Sequence, residues 1–300
     1  MAMQRTTFPK DLEEGLNAHF GMEVDRYQEE WPSLLDTESS SKAQEEDVLE
    51  IGFGGAQTKV EGQDIAEDEG GQSWSKVYVH ETIALSFALT EEAIEDNLYQ
   101  RLGPKYSKAM ARAFMHTREV KGAAVVNNAT TTTGGDGVAL LSTSHPIYSG
   151  GTQSNKLSTG ADLSEASLED LLIQVRTAKD DRQVPQALRP AILVIPPQLE
   201  YTAIRVCKSP GRSGTAENDI NAHRNKGVFN TDPLVMTYLT DADAWGLKTD
   251  CPDGLKHMRR LSLRRGFEED FKTGNHQYKG RERYSVGYSN WRGYFGSVPS

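Results

Sequence analysis

The longest helical pattern in the chain covers residues 90–128. Thr90 can cap it, and Glu91 and Glu92 then fall in the first turn, where negative charge meets the positive end of the helix dipole. Gly103-Pro104 interrupts the pattern, and proline suits the opening position of a second helix. Apolar residues follow at Tyr106, Met110, Ala113, Val120 and Ala124, with Thr117 a polar exception. Steps of four and three mark one helical face. Residues 104–127 would span roughly 36 Å at about 1.5 Å per residue. Met110, Ala113 and Val120 are expected to face a sheet built by the last strands of the chain.

Period-two patterns surround this helix. Val48, Leu49, Ile51 and Phe53 lead out, and Trp74, Val77, Val79, Ile83, Leu85 and Phe87 return. The spacing predicts one long hairpin over 48–89, about fifteen residues each way and roughly 50 Å long. An isolated hairpin is marginal in water, so such a finger needs a surface to lie on. Residues 1–47 have too little apolar spacing for a core and read as an arm of short helical pieces. Residues 129–235 read as a compact α/β module. It has a strand at 138–141 and a helix with Leu168, Leu171, Leu172 and Val175 inward, capped by Asp162 or Ser164. A buried central strand at 191–195 and a helix carrying Leu199, Ala203 and Val206 follow. Further strands are expected at 234–239, 244–248, 255–271 and 278–295, the last two turned at Thr273-Gly274-Asn275.

Composition changes this picture little. The 300 residues are 37% hydrophobic, enough for a core. No apolar run approaches the roughly 18 residues of a membrane span, so no membrane association is expected. The N-terminus shows no apolar signal region. Cys207 and Cys251 are the only cysteines and read as small buried hydrophobes.

Charge and chemistry matter more. Residues 1–100 hold 6 Lys+Arg against 23 Asp+Glu, whereas residues 251–300 hold 10 against 5. The finger tip carries Glu61, Asp64, Glu67, Asp68 and Glu69 with no cation among them, while Arg259, Arg260, Arg264 and Arg265 form the sharpest basic cluster. That cluster is either a solvated strand edge or a socket for an acidic partner. The two sets are candidate contacts between neighbouring copies. Gly52-Phe53-Gly54-Gly55 lacks the spacing of a phosphate loop. The seven histidines show no metal-ligand spacing, and no serine lies in a nucleophile elbow. No catalytic, cofactor or metal site is expected. The strongest enzymatic rival is a cytosolic α/β enzyme that uses His145 and Asp136 in a glycine-rich loop.

The order of elements and several local stretches resemble the major capsid proteins of tailed phages, the Hong Kong-97-type fold, and within it the Mu-like major head subunit branch. GLNAHFG at 15–21, ALSFALTEEAIEDNLY at 84–99 and ARAFMHTREVKGAAVVNNA at 111–129 carry the resemblance in the first half. PAILVIPPQLEYTA at 190–203, YLTDADAWGLKTD at 238–250 and FKTGNHQYKGRERYSVGYSNWRGYFGS at 271–297 carry it in the second. The resemblance implies an α+β phage capsid fold. Its parts would be an N-terminal arm (1–47), an E-loop hairpin (48–89), the spine helix of a peripheral domain (90–128), an axial domain (129–235) and closing strands of both domains (236–300). It implies a non-enzymatic subunit that self-assembles as hexamers and pentamers into an icosahedral shell around phage DNA. Portal, scaffolding and decoration proteins are its implied partners, with weak non-specific contact to packaged double-stranded DNA. The implied location is the virion, with assembly in the host cytoplasm. Fifty residues ahead of the hairpin leave no room for an in-chain scaffold, which implies a separate scaffolding protein or earlier cleavage. Lys59 has no assignable asparagine partner, so no crosslink is expected. A nanocompartment shell enclosing a cargo enzyme is the alternative within the same fold.

Overall fold

The computed structural model describes residues 8–90, 92–93, 99–211, 220–229, 231–270 and 272–299. In chain order the elements begin with α1 (Phe8–Arg26), α2 (Trp31–Leu34), β1 (Asp36–Ser39), β2 (Gln44–Ile51), β3 (Gly71–Val79) and β4 (Glu81–Leu89). The middle comprises α3 (Tyr99–Asn127), β5 (His145–Pro146), β6 (Thr152–Gln153), α4 (Glu165–Thr177), β7 (Pro190–Ile195), α5 (Glu200–Lys208) and α6 (Ala222–Lys226). The chain closes with β8 (Leu234–Val235), β9 (Trp245–Thr249), β10 (Leu255–Glu269), β11 (His276–Tyr288) and β12 (Tyr294–Ser297).

Two four-stranded sheets, in the orders β1-β10-β11-β4 and β12-β9-β7-β8, stand beside the two-stranded pairs β2-β3 and β5-β6. The antiparallel β10–β11 ribbon is the longest piece, paired from Leu255↔Tyr288 to Glu269↔His276 with register shifts between Arg259 and Arg264. Gly274 turns it with a left-handed φ of 67°, which glycine adopts without steric cost.

Helix α3 lies on the first sheet with Met110 facing β11 as expected, but the buried face is otherwise rotated from the one its apolar spacing suggests. Ser107, Met110, Ala111, Phe114, Met115, Glu119 and Ala123 are buried, while Val120 is 42% exposed. Ala113 is half-buried. The true stripe contains two polar residues that a hydrophobic count skips. Ser107 Oγ donates to the Leu16 carbonyl at 2.7 Å, and Glu119 accepts the Glu30 and Trp31 N–H groups at 2.7 and 3.2 Å. Phe114 packs onto Gly280 of β11, where a Cβ would sit 2.7 Å from its ring. The helix is also continuous from Tyr99, with Pro104 inside it. One proline forfeits one helical hydrogen bond, and packing on α1 and the sheet outweighs that loss. Thr90 Oγ1 accepts the Ala93 N–H at 3.3 Å, as a cap would. Glu91 lies outside the described residues.

The N-terminal arm is corrected most. Residues 8–26 form one helix that packs along α3, not a string of short pieces. Leu16 and Phe20 share a core with Leu89, Met110, Phe114 and Tyr278. Two buried anchors one turn apart, helped by Val24 and Tyr27, are enough because α3 supplies the rest of the apolar surface. Trp31, Leu34 and Leu35 enter the main core.

The hairpin is shorter than its apolar pattern implies. β2 pairs with β3 from Gln44↔Val79 to Ile51↔Gly71, but β4 pairs with β11 in the first sheet. The continuous alternation hides a change of partner at His80. The paired finger therefore reaches roughly 26 Å at about 3.3 Å per residue.

In the second sheet β7 lies between β9 and β8, with Leu193, Val194 and Ile195 buried and Ile192 half-buried. Ser164 caps α4 in a capping box with Ser167, and Leu168, Leu171, Leu172 and Val175 are buried. Residues 138–141 form no strand, only an isolated bridge from Ala139 to Thr133. The strand expected at 234–239 shortens to β8. β9 and β12 complete this sheet from beyond residue 235, so the module around α4 and α5 is not closed within 129–235.

Burial pushes the Glu119 carboxyl up to about 7, against the hydrogen bonds from Glu30 and Trp31. Its folded pKa lies above its ordinary value of 4.5. Its stabilising contribution is therefore full below that value and is lost as pH rises through about 7. Relative to Glu119→Gln, the wild-type chain should lose Tm between about pH 4.5 and 7 and level off above that. A Tm difference that does not change with pH would contradict this assignment.

Candidate assembly interface

The finger is fastened at its root. Lys256 on β10 is only 4% exposed, and its ammonium meets Asp47 of β2 at 2.6 Å, Asp253 at 2.7 Å and Glu38 of β1 at 3.1 Å. Burial disfavours its charge, but the three carboxylates outweigh that and hold its pKa above the ordinary lysine value. Asp47 also accepts the Ser289 hydroxyl, which bonds Tyr78 of β3 at 2.7 Å. One buried cation thus ties β1, the finger and the central ribbon together. His80, at the change of partner, bonds Ser40 Oγ at 2.7 Å and Ser285 Oγ at 3.1 Å. Burial holds its pKa below the usual imidazole value, so it serves as a neutral hydrogen-bonding joint.

Beyond the root the finger is bare. Glu61, Asp64, Glu67, Asp68 and Glu69 are all exposed. Asp68 accepts the Gly54 N–H at 2.7 Å and pairs with Arg182 at 3.1 Å. Those contacts, the Gly54 bond first, hold its carboxyl below the ordinary range. The Arg182 guanidinium also donates to the Glu69 carbonyl. Apolar side chains stand among these charges in the open: Phe53 is 67% exposed, Val60 59% and Ile65 74%.

Among the described residues no ion pair joins the basic ribbon to the acidic tip, whose Asp68 pairs with Arg182 instead. Arg259, Arg264 and Arg265 are exposed and Arg260 is half-buried. Arg264 stands opposite Arg281 of β11. Arg265 is partly engaged, donating to the Asn17 carbonyl at 2.9 Å and covering Phe20 at 5.3 Å. Among the described residues none of these four arginines forms an ion pair. The contacts that sequence reasoning missed are Lys256 and Arg182. Lys256 and Asp47 are 209 positions apart, and Arg182 and Asp68 are 114 apart, so no local spacing announces either pair.

His145 and Asp136 do meet, with Nδ1 2.6 Å from Oδ2, but the side chains are 0% and 2% exposed. The imidazole stacks on Trp291 at 4.3 Å, and Nε2 faces Asn155 Oδ1 and the Leu140 carbonyl. Asn155 donates in turn to the Leu140 and Tyr294 carbonyls at 2.5 and 2.9 Å. Every polar atom of the ring is spent on the fold, and a base sealed this way has no surface to offer a substrate. The pair sews the glycine-rich loop to the chain end.

Lys256→Met should expose the root clamp. It leaves the three carboxylates without their shared cation, at a cost of roughly 1–3 kcal/mol in denaturant unfolding. That is below the range for a fully buried pair, because Glu38 and Asp253 are about half-exposed. Amide exchange should quicken in β2 and β3 more than in β10. Unchanged stability, or β2–β3 amides as protected as before, would refute the clamp.

Solved structures share this architecture. The procapsid protein of bacteriophage JBD30 superposes with a TM-score of 0.56 at 15% identity, covering 99% of this chain and 77% of that one. The virus-like particle from Pyrococcus furiosus gives 0.53 at 12% identity, covering 95% and 98%. Microbacterium phage Oxtober96 gives 0.53 at 9% identity, covering 91% and 92%. At such identities these establish an α+β fold of the Hong Kong-97 type. No curated protein sequence matches the chain. The family profile described as "Phage capsid protein" matches residues 74–295, from the return strand of the finger to the last strand of the second sheet, and the chain therefore belongs to the phage capsid protein family.

Proposed function

We propose that this chain is the major head subunit of a tailed phage, in the Mu-like branch. Its copies group as hexamers and pentamers into a closed icosahedral shell around double-stranded DNA. The carrying observation is the finger. A clamped root supports an exposed tip whose Phe53, Val60 and Ile65 have no cover in a lone subunit. Apolar surface held out in this way is stabilised only when another chain buries it. The first sheet with α3 plays the peripheral part, the second sheet with α4, α5 and α6 the axial part, and the finger the E-loop. Stability then comes from area buried between chains, which in permanent interfaces commonly exceeds about 2,000 Å². Portal, scaffolding and decoration proteins are the expected partners, assembly takes place in the host cytoplasm, and the chain carries no enzymatic chemistry.

Electron microscopy of the purified protein should show closed particles or their rings. A species of a few subunits at every concentration would overturn the reading. Particles filled with a protein cargo in place of DNA would assign the chain to a nanocompartment.

The acidic tip and the basic ribbon then meet across neighbouring subunits. Each exposed pair is worth only about 0.2–1 kcal/mol, so the contact sets register more than strength. Glu61, Asp64 and Glu67 are the residues to reverse to lysine, because that leaves the Asp68–Arg182 contact intact. Light scattering should show slower assembly of this variant. Reversal of Arg259 and Arg264 to glutamate should partly restore it. Wild-type assembly should itself slow as the Debye length falls from about 10 Å at 0.1 M salt to about 3 Å at 1 M. Normal assembly of the reversed variant at low salt would refute the pairing.

A further inference from the structure

Strand β4 ends the first sheet, and among the described residues no main-chain hydrogen bond joins its outer edge. Nine residues long, it reads ETIALSFAL, with one charge at its very start. Thr82, Ala84, Leu85, Ser86 and Ala88 are exposed, Leu85 at 45%. Natural edge strands are shielded by charge, proline, bulges or brevity. Most other edges in this molecule follow that rule, and β3, the nearest to β4 in length, carries Lys76 in mid-strand and an irregular register against β2. β2 carries Glu45, Glu46, Asp47 and Glu50, while β1 has four residues and β8 two. β4 has none of these devices, and its composition is that of a segment ready to pair with another chain.

We propose that β4 is a strand-pairing site for a second copy of the chain, antiparallel to itself across a two-fold axis. Self-complementarity commits the occupant. In a pair centred on Leu85, that residue meets its own copy, Ile83 meets Phe87 and Ala84 meets Ser86. The lone charge, Glu81, falls at the outer end, where Lys121 already pairs with it. No like charges are forced together along the strand, which is the condition a symmetric strand pair must meet. The face that carries Leu85 and Phe87 also has the exposed Tyr106 ring 5.9 Å from Phe87, so the same pairing covers apolar surface. The small residues Thr82, Ala84, Ser86 and Ala88 leave the other face flat. The pair fuses two four-stranded sheets into one of eight. Lys279 and Arg281 of β11 flank β4 at Ser86 and Ala84. Their counterparts across the axis lie three strand spacings away, roughly 14 Å. Salt screens repulsion over that distance, so this contact is strengthened or unmoved by salt, opposite in sign to the finger contact.

The proposal rests on the reading that copies of this chain assemble, and the test separates the two. Single cysteines are placed at positions 82–88 and the assembled protein is treated with a mild oxidant. Disulfide-linked dimer is compared with the wild-type chain, whose Cys251 is buried and Cys207 half-buried. Leu85→Cys should crosslink to itself most, with yield falling on either side. Leu85→Lys should lose the contact while the isolated subunit keeps its Tm. Shells that form with no self-crosslink anywhere along β4, or crosslinks only to a different strand, overturn the pairing but leave the capsid reading intact. Absence of any assembly overturns both.

Discussion

A finger that projects from its sheet keeps its aim only if its root does not move. Here that constraint falls on one buried ammonium. Lys256 sits in the longest ribbon of the chain and draws in carboxylates from β1, from β2 and from the turn at Asp253. The finger itself has almost no core, with Tyr78 and Ile51 its buried side chains. Its position therefore depends on polar bonds at the base, on Trp74 packed against the main core, and on Arg182 at the tip. Polar bonds are directional, and a finger held by direction can be aimed; one held by apolar contact alone could slide. The Tyr78–Ser289–Asp47 chain and the His80 joint extend the same logic to the strand that returns.

The ribbon that anchors the finger also joins the two cores. Tyr278 belongs to the small core under α1 and α3, while Tyr288, at the other end of the same strand, belongs to the large one. A pull on the finger is therefore transmitted to both. The sealed His145–Asp136 pair has a related task at the far end, where it and Asn155 hold the loop before β5 against residues 291–294. Fully satisfied buried polar networks of this kind rigidify a structure and specify one arrangement of its parts.

Much of this fold could be read from residue order, and the failures have physical causes. β7 and α4 announce themselves because their buried positions are nearly all apolar, so pattern equals environment, and the long helix announces its existence by length and period. The face of α3 does not, because its stripe runs through Ser107 and Glu119, polar residues buried for the bonds they make. α1 was hidden because its apolar anchors are few and its partner lies about ninety positions away, at Ser107. The finger was overdrawn because alternation persists from β3 into β4 while the pairing partner changes. Period two reports that a strand has two faces and says nothing of which strand lies beside it. As for the interface residues, charge asymmetry pointed to the tip and the ribbon, but only the fold showed that Asp68 is already partnered by Arg182.

The two kinds of edge in this molecule make sense together. Charge acts at a distance and tolerates error, so an acidic finger can find a basic surface before the fit is exact. Main-chain pairing acts at contact and is sensitive to register, so it suits a surface that is already aligned. A chain that carried bare edges everywhere would aggregate, and one that carried none would lack a directional bond to its neighbours. Placing charge on β2 and withholding it from β4 separates encounter from locking. In the proposed assembly this would also explain why an apolar strand as exposed as β4 is kept: it endangers only copies that meet in the wrong orientation, and complementary charge disfavours those encounters.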